Sequence, residues 1–355
     1  YVVLGERAVA ILLAGCPSAF IILSSVNTMY SVAVLARRGI VVKGGEALEQ
    51  TSKVGALVID KTGTLTLGLP KPVRAIPPRG LDETTFKSLV ASVAAASLHP
   101  VSRGIAKAWK PGYTVTEVEE IPGRGVKARV NGSTLVLGSR PFIESILGEG
   151  VDGGACGSDI AVYALVDGSV GIVCLGEEVS DDAARAVETL KRMGMRVVLA
   201  SGDRKERVEA VAKALGIDEY YYGMKPDDKL RLTERIREEC KCKVAMIGDG
   251  INDIEAMAAA DLGIAVGNID VINEVADAVL LRGFKDTPHL LKRGKGYMGG
   301  ILFGIGVASI IKLAVIVLGL GGSIPLWLVA LIGDDGSTLI GTAAAVLYTT
   351  ISSRL

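Results

Sequence analysis

Three stretches of this chain stay apolar for longer than a soluble core element needs. Ala8 to Ala36 contains no charged residue, Gly296 to Leu320 carries only Lys312, and Ile324 to Ile351 carries only Asp334 and Asp335. As a helix the first stretch would reach roughly 43 Å, enough to cross a bilayer core and emerge. Three such stretches flanking a polar middle predict membrane spans. Arg37, Arg38 and Lys43 follow the first, and Lys292, Arg293 and Lys295 precede the second. The loop Gly321-Gly322-Ser323 between the last two is uncharged, and Arg354 follows the third. Basic residues collect on the cytoplasmic side, so the middle of the chain is expected in the cytoplasm and the whole as a multi-pass cell-membrane protein.

Between the spans the pattern changes. Short apolar runs at Val54–Ile59, Val197–Ala200 and Val244–Ile247 read as parallel strands buried on both faces. Amphipathic helices are predicted at Asp181–Met193, Arg204–Leu215 and Asp228–Glu239. This alternation predicts an α/β domain interrupted by an insert. The insert has its own signals: Pro70 to Pro78, a helical Glu83–Ser97 region, and strands at Val126–Val130 and Thr134–Leu137. The resulting division is 1–42, a membrane helix with a cytoplasmic extension; 43–67 and 175–290, the two parts of one domain; 68–174, the insert; and 291–355, two membrane helices.

Each buried strand leads into polar chemistry. The first ends in Asp60-Lys61-Thr62-Gly63-Thr64-Leu65-Thr66, the second in Ser201-Gly202-Asp203, and the third in Gly248-Asp249-Gly250-Ile251-Asn252-Asp253. Lys225-Pro226-Asp227-Asp228-Lys229 lies between the last two. Open α/β sheets place ligand chemistry at the carboxyl ends of their strands. A carboxylate held there can attack a phosphoryl group and form an acyl phosphate. The run from Asp60 to Thr66 resembles the phosphorylation signature of P-type ATPases. The order of loops resembles a haloacid-dehalogenase-like phosphorylation domain. That resemblance implies catalytic roles for Asp60, Lys61, Thr62, Ser201, Gly202, Asp203, Lys229 and Asn252. It implies Mg²⁺ held near Asp60, Thr62, Asp249 and Asp253, a set that suits a hard cation preferring oxygen ligands. Lys229 would offset charge on the transferring phosphoryl group. Phosphatases of this fold usually carry a second aspartate two positions after the nucleophile. Thr62 stands there instead, and a hydroxyl is a poor general base near neutral pH, so a persistent phosphoenzyme is expected.

The insert carries Ser97-Leu98-His99-Pro100 and Gly123-Arg124-Gly125. Both resemble the α+β nucleotide-binding domain of heavy-metal P-type ATPases, which implies ATP bound near His99, Pro100, Gly123 and Gly125. Leu98 replaces the family's usual glutamate. In the first span, Cys16-Pro17-Ser18 resembles the family's Cys-Pro-x signature, with Ser18 where a second cysteine is common. Proline breaks the helical ladder, and a soft thiolate suits a transition metal. An ionised side chain at mid-bilayer costs roughly 2.5–3.5 kcal/mol, so it usually has a partner and a task. Lys312 and the aspartate pair are candidate partners. The zinc and cadmium branch pairs such a lysine with an aspartate before glycine, and Asp335-Gly336 fits. The transport site is thus expected at Cys16 and Asp335, with Lys312 as counter-charge and Zn²⁺ as the favoured cargo. Cd²⁺ and Co²⁺ follow; a Cu⁺ pump or a membrane-tethered phosphatase of the same fold is the alternative.

Composition adds limits. The chain's 355 residues include 39 basic and 39 acidic side chains, so nothing attracts nucleic acid. Five cysteines show no disulfide framework, and Cys240-Lys241-Cys242 lacks the second pair of a zinc site. The family's actuator domain, with its Thr-Gly-Glu loop, and its further spans have no counterpart here. The expectation is a chain whose first part is missing, acting with that part, with the bilayer, and with a metal donor protein.

Overall fold

The computed structural model describes residues 17–66, 70–152, 154–156, 160–176, 179–267 and 274–353, with positions 5, 8, 9, 12 and 15. It divides into two compact units. One comprises Tyr1–Asp60, Asp182–Gly202 and Gly216–Leu355; the other comprises Lys61–Asp181 and Asp203–Leu215.

The first unit holds a seven-stranded sheet. Its strands are β1 (Ile40–Val42), β2 (Val54–Asp60), β9 (Arg196–Ala200), β10 (Glu219–Tyr221), β11 (Lys243–Gly248), β12 (Leu262–Val266) and β13 (Ala278–Leu280). Their order is β1-β13-β12-β11-β2-β9-β10. β2 lies between β11 and β9, parallel to both, with Ile59 opposite Ile247 and Leu199. Ala56, Leu57, Val58 and Ile59 are fully buried, which is why the run is apolar without alternation. The three strands read from sequence are present, each lengthened by a residue or two. β1, antiparallel to β13 at the edge, has too few residues to stand out by pattern.

The second unit holds a six-stranded antiparallel sheet. Its strands are β3 (Lys71–Ile76), β4 (Val115–Ile121), β5 (Gly125–Val130), β6 (Ser133–Gly138), β7 (Ile160–Val166) and β8 (Ser169–Gly176), in the order β3-β8-β7-β6-β5-β4. Helices Glu83–Ala95 and Pro100–Ala108 pack on it through Phe86, Val90, Val93 and Ile105. All six strands fall between β2 and β9 in the chain. Two cysteine expectations are corrected here: Cys156 pairs with Cys174 and Cys240 with Cys242, at Cα separations of 5.3 and 5.1 Å. Lys241 takes a left-handed backbone (φ 50°) that folds Cys242 back toward Cys240.

Among the described residues three helices are long and apolar enough to cross a membrane: Ser18–Arg37, Phe284–Leu320 and Trp327–Ser352. The first is described only from the residue after Pro17; most of Ala8 to Cys16 lies outside the described residues. The third is not one regular helix. Leu331–Gly336 forms a π turn between helices Leu326–Ala330 and Ser337–Ser352. Ile310, Leu339 and Leu347 point outward and are largely exposed, as lipid-facing residues must be.

Small residues set how closely these helices approach. Gly296, Gly300, Gly304 and Ala308 recur every fourth position along helix Thr287–Leu320, ending at Lys312. They face Gly341, Ala345 and Thr349. Lipid tails supply no hydrophobic drive for helix association, so close backbone packing must do so. A Cβ at Gly304 would lie 2.7 Å from the Gly341 carbonyl oxygen, whereas one at Gly306 would meet nothing within 4 Å. Gly304→Val is therefore expected to destabilise the bundle by about 1–3 kcal/mol and Gly306→Val to be neutral, read as detergent-resistant thermal unfolding. Equal melting of the two variants would contradict this packing.

Candidate functional site

A buried ionic cluster forms at the carboxyl ends of β2 and β11. Asp60 is the last residue of β2, and Asp249 follows β11. Helix Pro226–Cys240 brings Lys229 to them from its first turn. That helix starts where it does for local reasons: Pro226 fits a first helical position, and the Asp228 carboxylate accepts from the Lys225 N–H at 2.9 Å. The Lys229 carbonyl in turn accepts from Thr233 Oγ1 at 2.9 Å.

Lys229 Nζ donates to Asp60 Oδ1 at 2.5 Å and to Asp253 Oδ1 at 2.6 Å. All three side chains are nearly inaccessible to water. Burial alone would lower the Lys229 ammonium, but the charges of Asp60 and Asp253 outweigh it and hold it above its usual value. Asp249 has the opposite problem. Burial first, then the negative charges of Asp60 and Asp253, push its carboxyl up to about 6. Oxygens of Asp60, Asp249 and Asp253 all lie within 4.8 Å of one another. Three carboxylates thus share one ammonium, and the excess is negative. A divalent cation fits this set on charge and on donor chemistry. Gly248 makes the arrangement possible: a Cβ there would sit 2.4 Å from Asp253 Oδ2.

The other loop residues find separate places. Ser201 is buried, with its N–H donating to Tyr221 O at 3.0 Å and its carbonyl accepting from Met224 N–H at 3.1 Å. A Cβ on Gly202 would stand 3.0 Å from the Met224 carbonyl oxygen. Asn252 is exposed in the short 3₁₀ turn Ile251–Asp253. Thr62 is exposed in the turn that follows β2. In the second unit, Lys61 is fully buried and donates to Asp203 Oδ2 at 3.1 Å. Burial pushes the Asp203 carboxyl up, but the Arg204 N–H and Lys61 outweigh it and leave the group below its usual value.

The second unit also contains a pocket of about 470 Å³ between the start of helix Pro100–Ala108 and the β4–β5 hairpin. Ser97, His99, Glu120, Gly123 and Gly125 line it, with apolar walls that include Ile121 and Val162. The pocket thus joins the two separate runs singled out in the sequence. His99 caps its helix, Nδ1 accepting from the Val101 N–H at 3.3 Å, and Pro100 takes the first helical position. Gly123 needs its positive φ of 69°. Gly125 is needed for a different reason: a Cβ there would lie 2.1 Å from the Leu137 carbonyl oxygen across the strand pair. Glu120 gave no sequence signal beyond being an acid three positions before Gly123.

In the membrane segments, one expectation is corrected. Lys312 is buried and its Nζ lies 3.5 Å from Oδ1 of Asp334, not of Asp335. Ser18 Oγ donates to the same oxygen at 2.7 Å. Successive residues on a helix point in different directions, so only one of the two aspartates can face Lys312; Asp335 is exposed. Cys16 lies outside the described residues. Arg293, one of the basic residues that precede the second span, is buried over the Tyr30 ring and donates to Ser353 Oγ at 2.9 Å.

Comparison with known proteins agrees with this construction. The model for haloacid dehalogenase-like hydrolases matches residues 54–261. The zinc/cadmium/lead-transporting P-type ATPase of Escherichia coli (strain K12) is 32% identical over 349 residues, covering 96% of this chain and 47% of that protein. Copper-transporting ATPase 1 of Rhizobium meliloti (strain 1021) is 35% identical over 290 residues, 78% of this chain and 35% of its own length. The crystal structure of a zinc-transporting PIB-type ATPase in the E2.Pi state superposes with a TM-score of 0.77 at 31% identity, covering 97% of this chain and 57% of that one. The chain spans about half the length of the curated relatives it matches. It belongs to the haloacid dehalogenase-like hydrolases, and within them to the P-type ATPases of the heavy-metal group.

Proposed function

We propose that this chain carries the phosphorylation, nucleotide-binding and part of the transport machinery of an ATP-driven transition-metal exporter, with Zn²⁺ as cargo. The observation that carries the reading is the buried Asp60–Lys229–Asp253 cluster at the strand ends, together with a separate pairing of buried Lys312 with half-buried Asp334 in the membrane helices. Residues 43–67 and 175–290 act as the phosphorylation domain and 68–174 as the nucleotide-binding domain, all cytoplasmic.

ATP held by the pocket around His99 presents its γ-phosphoryl to Asp60. An Asp60 carboxylate oxygen forms the new bond to phosphorus, the bond to the β–γ bridging oxygen breaks, and ADP leaves with that oxygen. The product is an aspartyl phosphate. Lys229, already paired with Asp60, follows charge onto the phosphoryl oxygens. Lys61, Thr62, Ser201, Gly202, Asp203 and Asn252 shape the surrounding loops and supply hydrogen bonds. Asp60, Asp249 and Asp253, with Thr62, would hold Mg²⁺, which screens negative charge between nucleotide and carboxylates. Thr62 is a poor base, so the acyl phosphate persists until a group from elsewhere in the protein, such as an actuator glutamate, takes a proton from a water that attacks the phosphorus and releases the Asp60 carboxylate and inorganic phosphate. The interval allows a change of shape at the membrane helices.

There the cargo is held by Asp334 and by Cys16, with Ser18 close to Asp334. A thiolate and a carboxylate offset the two charges of Zn²⁺. Lys312 takes the metal's place beside Asp334 after release, which keeps the carboxylate paired in a low-dielectric site. A donor protein supplies the metal from the cytoplasm.

Incubation with γ-labelled ATP should give an acid-stable label on the full-length protein. Asp60→Asn should abolish it, and a label that survives removes Asp60 as nucleophile. Asp334→Ala and Lys312→Ala should each raise the Zn²⁺ concentration for half-maximal ATPase stimulation, by roughly 10-fold or more. Asp335→Ala should leave it near wild type; the reverse ranking would return the site to Asp335. Asp249 predicts a pH effect without Mg²⁺. Its folded pKa, about 6, exceeds the ordinary 3.8. The stability it contributes is therefore fully present below the unfolded value and lost as pH rises through about 6. Asp249→Asn should flatten that part of the melting-temperature profile, and an unchanged profile would show that the group does not titrate there.

A further inference from the structure

The pocket around His99 contains a carboxylate that none of the motifs marks. Glu120 lies on β4, the edge strand of the six-stranded sheet, opposite Val126 and just before the turn that carries Gly123. Its Oε1 accepts from the hydroxyl of buried Ser97. The same Ser97 oxygen accepts from the His99 N–H at 3.2 Å. One buried hydroxyl thus ties the Glu120 side chain to the His99 backbone at one mouth of the pocket. His99 Nδ1 is already an acceptor for the Val101 N–H, so in the neutral ring Nε2 carries the proton and donates. Glu120 Oε2 accepts from no partner among the described residues. Among the described residues Glu120 is the single carboxylate lining the pocket. Leu98, the neighbour of both, is 85% exposed and has no polar atom on its side chain.

We propose that Glu120 is the specificity-determining residue of this pocket, accepting a hydrogen bond from the 6-amino group of a bound adenine. The inference rests on the nucleotide-binding reading given above. The donor and acceptor are complementary to adenine, whose edge carries an amine beside ring-nitrogen acceptors. Hypoxanthine and guanine present a carbonyl oxygen at the same place, and a carboxylate repels it. An isolated acceptor aimed at an amine discriminates strongly, because a ligand lacking the amine leaves the site's polar group unpaired. Glu120 thereby does from the β4–β5 hairpin what Leu98 is unable to do from the loop before the helix.

The test uses the full chain in detergent and displacement of a fluorescent ATP analogue by three nucleotides: ATP, ITP, and purine riboside triphosphate, which has hydrogen at position 6. Wild type should bind ATP roughly 10-fold or more tighter than the 6-hydrogen analogue, as for a hydrogen bond to a charged group, and ITP no better than that analogue. Glu120→Ala should weaken ATP to the level of the 6-hydrogen analogue and leave that analogue's own affinity unchanged. Glu120→Gln, which keeps an acceptor, should retain part of the preference. Glu120 is exposed, and Glu120→Gln keeps an acceptor for the buried Ser97 hydroxyl, so comparing the two variants separates loss of that bond from loss of the charge. An ATP preference that survives Glu120→Ala overturns the assignment while leaving the nucleotide pocket intact. Failure of every nucleotide to bind wild type, or indifference of all three to His99→Ala, overturns both.

Discussion

One ammonium serving several carboxylates is the constraint around which the cytoplasmic site is built. Lys229 donates to both Asp60 and Asp253 in a place almost closed to water. Removing one partner of such a group is strongly destabilising, because the charge left behind has nowhere to go. Asp249 adds a third carboxylate within 4.8 Å of the other two. Much of the local sequence follows from that crowding. Gly248 has no side chain because the Asp253 carboxylate occupies the space. Pro226 and Asp228 start a helix so that Lys229 falls on its first turn. Parallel β2 and β11 are neighbours, so their ends deliver Asp60 and Asp249 to one place. The site is poised for a ligand that brings positive charge, or for a phosphoryl group that draws the lysine toward itself.

The membrane segments repeat the same physics in a drier setting. Lys312 faces Asp334 across two helices that approach closely because glycines line their contact. The π turn at Leu331–Gly336 interrupts regular hydrogen bonding where the aspartates sit. A π turn is a frequent companion of functional sites. A charge pair in such surroundings holds only while each member has a partner, which suits a site where a cation and an ammonium alternate.

The chemistry was more legible than the geometry. Asp60 to Thr66 followed a buried apolar run, so both its strand and its position at the strand end were readable. Asp249 and Asp253 were readable for the same reason, whereas Lys229, in the first turn of a helix, was marked by the resemblance of the loop order alone. Three-residue strands such as β1 and β13 are too short for periodicity to reveal, and β10 reads as three tyrosine-rich residues in a loop. Membrane helices were visible by length, yet apolarity all round gives no rotational phase. That is why the sequence points to Asp335 while Lys312 pairs with Asp334: adjacent residues differ by about 100° in facing, and only packing decides between them. The fourfold recurrence Gly296, Gly300, Gly304, Ala308 was the available signal for that phase. Glu120 was invisible because a hairpin edge, not sequence adjacency, brings it to His99.

The proposed function requires that phosphorylation at Asp60 drive metal through the helices that hold Lys312 and Asp334. The most direct measurement is ATP-dependent accumulation of Zn²⁺ in sealed vesicles containing the full-length protein with its cytoplasmic face outward. Uptake that requires ATP and disappears in Asp60→Asn is the predicted result. Vesicles that hydrolyse ATP at a Zn²⁺-independent rate and accumulate no metal would contradict it.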